Sequence, residues 1–409
     1  MKKRLATGVC AVAVLLASAS SVGAATIILN DVGGVTGSPA EAGFKTAANF
    51  WGSLIANPVT IRLDVGFDHL GPNILGQTGS TFGTALIQDV EHQLQVTGTS
   101  SLDALAAANL PALGPSQYSG FGIDGIKMFT PGYTDPVAKT GIDNSQTILD
   151  NDGSVNNVLM GMTQANAKAL GMFADDGSAD GSITFSSDFS FDFNPTNSVP
   201  AGSIDFLTVA IHEIGHALGF VSGVDDYDVL GAPNGEFKDF NCGTEADPLL
   251  CQNYPVNDTW WAETLDLFRY ADASGIPNLV PGTEGYFSVD GGATDLGNFS
   301  TGTDNGDGWQ ASHWKAPVAP PFCANLLGIM NPYSCNGHTG IVTNLDFEAF
   351  DAIGWNFTFD PLASPRSYST VDAYLQFGIP EPATWGLMIM GFGLAGAAVR
   401  RRGPALARI

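Results

Sequence analysis

The sequence predicts an α+β fold, a single body of two subdomains, regular in its first part and irregular in its second. Three observations predict it. Strand-like and helix-like segments alternate over residues 26–220, an apolar helix closes that stretch, and the chain's 50 glycines point to a loop-rich remainder. Taken in order, residues 26–30 read as a strand, and Ser38-Pro39-Ala40-Glu41 reads as a capping box opening a helix that runs to about Ile55. Residues 59–65 alternate as a strand, 101–109 and 155–170 read as helices, and 182–193 alternate strongly as a strand. Ile204, Phe206, Leu207, Ile211, Ile214 and Leu218 make residues 204–218 a buried helix, with Ser203 or Asp205 as N-cap and Gly219 as the stop. No internal repeat is present.

That helix carries His212-Glu213-Ile214-Gly215-His216. Imidazoles four positions apart on a helix share one face, one turn apart, so both can bind a single metal ion. The carboxylate directly after the first imidazole is placed to work on a water, not to ligate the metal. Zinc acidifies such a water and polarises a carbonyl, while the carboxylate takes the proton and passes it to the leaving amine. This is apparatus for peptide-bond hydrolysis, with Glu213 catalytic and Zn2+ as the expected cofactor.

A catalytic zinc site takes three protein ligands, and the third defines the class. The continuation to Gly219 is present, but three residues further stands Ser222, so a short motif ending in histidine fails. A later candidate is His313 in Gln310-Ala311-Ser312-His313-Trp314-Lys315, followed by Gly328-Ile329-Met330-Asn331-Pro332. A distant His-Trp followed by a methionine turn resembles the leishmanolysin-like metzincins, and residues 341–355 resemble the helix that closes such domains. The resemblance covers residues 182–355. It implies a zinc metalloendopeptidase with a twisted mixed sheet, an active-site helix and an irregular subdomain containing the Met-turn. It implies His212, His216 and His313 as ligands, Met330 as the packing residue beneath them, and Tyr333, at an offset unlike the usual pattern, as a candidate for oxyanion support. It also implies that an edge strand through Ile183, Thr184 and Phe185 lines the cleft and pairs with an extended protein or peptide substrate.

Rival readings stay open. Asp225 and Asp226 are carboxylates that could serve as the third ligand. Glu263, in residues 260–270, would give a gluzincin-like site, although an amphipathic helix with Glu263 in water is the plainer reading. His69, His92 and His338 lack ligand spacing. A catalytically silent metal-binding surface or matrix protein is the alternative outside enzymes, and the intact Glu213 argues against it.

The ends of the chain address it. Lys2-Lys3-Arg4, an apolar run and Val22-Gly23-Ala24-Ala25 read as a signal peptide over residues 1–25. Subdomains 26–220 and 221–360 and a linker 361–379 follow. In segment 380–409, Pro380-Glu381-Pro382, an apolar run of residues 383–399 and Arg400-Arg401-Arg402 resemble the PEP-CTERM sorting signal. That resemblance implies export from a Gram-negative bacterium, recognition by exosortase-type machinery, a transient inner-membrane stage through this segment alone, and a final place in the periplasm, at the outer surface or in the extracellular matrix.

Composition fits an exported protein. The formal net charge is −25, and because seven of the 16 basic residues lie in the two ends, segment 26–379 is more acidic still, near −31. Such a surface argues against nucleic acid as a partner. Loops 150–153, 175–181 and 304–308 offer the hard oxygens calcium prefers, but none has the EF-hand pattern, and solvated acidic turns are the plainer reading. Removal of Cys10 with the leader leaves four cysteines, and neighbour spacing suggests Cys242–Cys251 and Cys323–Cys335 among three formal pairings. Residues 26–241 contain no cysteine, so no N-terminal thiolate can hold the metal in a latent form.

Overall fold

Strands β1 (Thr26–Gly33), β2 (Thr60–Asp68), β3 (Gly76–Ser80) and β4 (Gly181–Ser186) form a mixed sheet in the order β1-β2-β4-β3. The computed structural model describes residues 24–231, 256–318, 323 and 325–378. The expected signal peptide, Cys242, Cys251 and segment 380–409 lie outside the described residues. β1, β2 and β4 run parallel, and β3 runs antiparallel to β4. The alternation of β2 buries Ile61, Leu63 and Val65 on one face. Helix α1 (Pro39–Leu54) makes the crossover between β1 and β2; its Phe44 packs on Phe185 of the sheet, while Phe50 and Trp51 face Phe347 in the C-terminal part of the chain.

Helix α2 (Phe206–Ala217) lies at the centre of the molecule. Asp205 caps it, accepting the Leu207 N–H at 3.2 Å, and Gly219 ends it at φ +111°, a conformation that disfavours a side chain. Phe206 packs against Phe44 and Phe185 with ring centroids 5.0 and 4.6 Å apart, and a Cβ on Gly43 of α1 would stand 2.4 Å from its ring. The Trp51 indole N–H donates to the Ile211 carbonyl at 3.1 Å, fixing α1 on α2. Phe350 of α3 (Asn344–Ala352) reaches the far side, where a Cβ on Gly215 would stand 3.2 Å from its ring. α4 (Thr370–Phe377), in the stretch expected to be a linker, packs back on α1 with Thr370 and Ala373 buried. A continuous apolar core runs from Ala25 to Ala373 through both halves of the chain.

Several expectations need correction. Residues 182–193 are not one strand: β4 ends at Ser186 and a short strand, Phe191–Asp192, follows. Nor do Ile183, Thr184 and Phe185 form an edge. Ile183 pairs with Val65 on one side and Thr78 on the other, and the edge belongs to β3. Alternation reports the two faces of a sheet and is blind to its edges. Residues 155–170 break into a turn of helix (Val155–Val158), a strand (Leu159–Thr163) and a second short helix (Gln164–Ala169). The strand pairs with Phe82–Leu86, burying Met160 and Met162; a short apolar run of this kind does not reveal its period. Ser38 precedes α1, but its hydroxyl donates to the Val35 carbonyl, so the capping box does not form there.

Residues 256–378 are irregular, as expected. Their strands are two residues long, including the antiparallel set Arg269–Tyr270, Tyr286–Phe287 and Gly297–Asn298. Residues 260–270 form a 3-10 turn (Thr264–Phe268) in place of an amphipathic helix. Cys323 and Cys335 are joined, with Cα atoms 6.0 Å apart.

Candidate metal centre

α2 is mostly apolar, and from Phe206 through Gly215 every residue is buried except His212. His212 and His216 alone remain partly exposed along its interior, one turn apart on the face turned away from the core. Each ring is aimed from behind by a backbone carbonyl. His212 Nδ1 lies 2.8 Å from the Ile329 oxygen and His216 Nδ1 lies 2.7 Å from the Phe220 oxygen. A carbonyl accepts only, so each Nδ1 carries the proton and each Nε2 presents a lone pair. The chain reversal at Gly219 brings the Phe220 carbonyl back under His216.

His313 completes the group from 97 positions away. Its Nε2 is 3.2 Å from that of His216, which is 3.0 Å from that of His212, and its Nδ1 faces the Gln310 oxygen at 3.2 Å. Burial holds His212 down to about 4 and His216 to about 3, and it pushes His313 well below the ordinary imidazole range, with the neighbouring rings adding to the last two shifts. Three neutral rings thus turn their lone pairs on one another. Lone pairs at this spacing repel, and a cation among them reverses the sign. Among the described residues these three make up the group of His, Cys, Asp and Glu that could hold a metal ion, their ligand atoms all within 4.8 Å.

Met330 is fully buried directly beneath α2: a Cβ on Gly215 would stand 2.5 Å from its sulfur. Its turn serves two of the three histidines. The Ile329 carbonyl holds His212, while the Met330 carbonyl accepts the N–H of Trp314, next to His313, at 2.9 Å. Asp346, the first-turn acid of α3, accepts from the Trp314 indole N–H at 2.8 Å and from the N–H groups of Ile329 at 2.9 Å and Met330 at 3.3 Å. Its pattern with Thr343 is a capping box that was readable in the sequence. Its hold on the turn at Met330 was not.

Glu213 is buried beside the triad, and burial raises its carboxyl to about 7. The Thr78 hydroxyl lies 2.7 Å from the Glu213 carboxylate and 2.9 Å from its backbone oxygen. Thr78 belongs to the edge strand β3, which lies along α2, and a Cβ on Gly76 of that strand would stand 2.9 Å from the Glu213 carboxyl. Sequence reading missed β3 because Gly76-Gln77-Thr78-Gly79-Ser80 has no apolar pattern; pairing to β4 makes it a strand. The Tyr333 hydroxyl is shielded from solvent without a hydrogen-bond partner, and its ring lies 5.6 Å from that of Trp309, in the loop leading to His313.

The rivals are placed elsewhere. Both Asp225 oxygens are engaged by the Ala311 and Ser312 N–H groups and the Ser312 hydroxyl. Asp226 does not join the triad. Glu263 is neither in water nor a ligand: it is 3% exposed, its carboxyl is pushed well above the usual range by burial, and its backbone bridges to Gly161. His69, His92 and His338 are exposed, as expected of surface residues. In the calcium-like loops, Asp150 accepts from Asn156, Asp152 pairs with Lys139, Asp175 pairs with Arg62, and Asp180 pairs with Lys168. These carboxylates are bonded to the protein's own donors, and none of them falls in a three-ligand group.

Residues 378–402 match the PEP-CTERM protein-sorting motif. The motif implies export in a Gram-negative bacterium and recognition by exosortase-type sorting machinery. No curated protein and no solved structure matches the chain. Among the described residues no helix is long and apolar enough to cross a membrane, and the apolar run 383–399 lies outside them.

Proposed function

We propose that the protein is an exported zinc-dependent endopeptidase of metzincin type. One observation carries this reading: three Nε2 atoms converge, each ring oriented by a carbonyl at its Nδ1, beside a buried carboxylate that is not one of them. The donor set of three neutral imidazoles suits zinc with an open position. When bound there, zinc supplies a Lewis acid that polarises the scissile carbonyl and acidifies a water. Glu213 takes the proton from that water and returns it to the leaving nitrogen. Thr78 fixes the carboxylate's direction. An extended peptide laid along β3 adds a strand to the sheet through backbone hydrogen bonds, with little sequence demand. Tyr333 is the candidate donor to the developing oxyanion. Export through the sorting signal would remove the tail and release the body outside the inner membrane.

The test compares the purified chain with its Glu213→Gln variant for zinc content and cleavage of an unfolded protein substrate. The variant keeps about one zinc per chain and loses proteolysis by a factor of about a hundred or more. Wild-type-like cleavage by the variant removes Glu213 from its role. Bound zinc with no cleavage by either form favours the silent metal-binding matrix protein.

A further inference from the structure

His313 stands 97 positions beyond His216, so nothing local to α2 brings it there. Two side chains of opposite charge, Asp225 half-buried and Arg269 buried, grip the loop just ahead of it. Asp225 belongs to the helix Val224–Leu230 that follows the Gly219 turn. Its carboxylate accepts the N–H of Ala311 at 2.5 Å, the N–H of Ser312 at 3.0 Å and the Ser312 hydroxyl. Arg269, 2% exposed, donates to the carbonyls of Ala311 at 3.3 Å and Ser300 at 2.8 Å. Ala311 is therefore held at both of its backbone groups, the N–H by an anion and the C=O by a cation. Ser300 passes the hold onward: its N–H donates to the His313 carbonyl at 2.9 Å and its hydroxyl to the Trp314 carbonyl at 3.1 Å. The Ser312 hydroxyl also accepts the Ser222 N–H at 3.0 Å, and Asp266 takes the Ser222 hydroxyl at 2.6 Å and the Gly223 N–H at 2.8 Å. The grip is thus anchored on the segment that leaves α2.

We propose that Asp225 and Arg269 are positioning residues, a charge clamp that presents the His313 ring to the metal centre. The inference rests on reading His212, His216 and His313 as that centre. Closing a loop of this length costs chain entropy, and charge-assisted hydrogen bonds to its backbone offset the cost before any metal arrives. Neither side chain is a ligand. Asp225 lies near α2 in sequence, yet its oxygens are taken by three donors of the His313 loop. Side chains that orient metal ligands typically change affinity without touching the ion.

The experiment uses the full chain, stripped of metal and titrated with Zn2+ against a chromophoric chelator and with Co2+ by its visible spectrum. Asp225→Asn, whose amide turns N–H groups toward N–H groups, weakens Zn2+ binding about tenfold to a hundredfold. It also moves the Co2+ spectrum toward that of His313→Ala. The double variant His313→Ala, Asp225→Asn binds no more weakly than His313→Ala alone, because the clamp acts only through that ring. Equal weakening in both backgrounds, or none in the otherwise unaltered chain, overturns the proposal. Near-UV circular dichroism of the metal-free forms checks folding. If Asp225→Asn does not fold, Ser312→Ala replaces it in the same cycle, and the same two outcomes decide. If the unaltered chain binds neither metal, the centre and the clamp fall together. If it binds through all three histidines and Asp225→Asn is silent, the clamp alone falls.

Discussion

In residues 26–220 the backbone is held by its own ladders: β2 is paired on one side to β1, from Thr26 opposite Thr60, and on the other to β4, from Gly181 opposite Leu63. In residues 256–378 the strands are two residues long, and aspartates take over the accepting. Asp346 receives the N–H groups of Ile329, Met330 and Thr343, and Asp307 receives those of Thr301 and Trp309. Asp228, on the helix leaving α2, receives those of Asp304 and Asn305. Part of the chain's acidity is thus internal scaffolding where regular structure is missing. The two kinds of support meet at the candidate metal centre. His212 and His216 are spaced by helix geometry alone, whereas His313 depends on side chains that lie far apart in sequence.

The largest expected effect tests whether the two kinds of support deliver equivalent ligands. His216→Ala and His313→Ala should each lose zinc on passage through a chelating column while keeping the circular dichroism of the fold. Metal analysis of the eluted chain measures it. Retention of zinc by His313→Ala alone would mean that the carboxylate-held half supplies no ligand.

The next effect tests the scaffolding itself. Asp346→Ala leaves a buried indole N–H and several backbone N–H groups without an acceptor, which should cost about 3 kcal/mol or more in urea unfolding. It should also weaken metal binding, since the Ile329 and Trp314 contacts loosen together. A loss under about 1 kcal/mol would show that packing alone holds the turn at Met330.

The smallest concerns a carboxylate in the regular half that lacks such donors. Glu91, on the helix Ile87–Thr97, is 3% exposed, and one of its oxygens has no partner. Burial raises its carboxyl to about 8. A raised acid holds in the fold a proton that the unfolded chain has already released. Its contribution therefore erodes as pH rises from the ordinary carboxylate range, about 4.5, toward 8. Glu91→Gln should stabilise the chain by about 1–3 kcal/mol at pH 8 and leave it nearly unchanged at pH 4. Unfolding curves at both pH values measure it, and an identical pH profile for the two forms would place Glu91 in water.

By itself the sequence determined the parts whose causes are local. The existence of α2 and its stop at Gly219 follow from periodicity and end signals, and the one-turn spacing of His212 and His216 follows from the helix repeat. The structure, by contrast, chose Asp205 over Ser203 as the cap and placed Ile204 in a short strand before it. The Cys323–Cys335 pairing was legible from neighbour spacing, and the sorting motif from its tripeptide, apolar run and basic end. Naming His313 required a resemblance; no local rule carries a residue across 97 positions. Only the tertiary structure decided that His313 meets the helix, that β3 and not β4 is the edge beside Glu213, that Asp225 holds a loop instead of a metal, and that Glu263 is buried away from the triad. Hydrophobic periodicity records which face of an element is buried. Which edge is paired, and which distant N–H a carboxylate accepts, is settled by long-range packing that no single segment encodes.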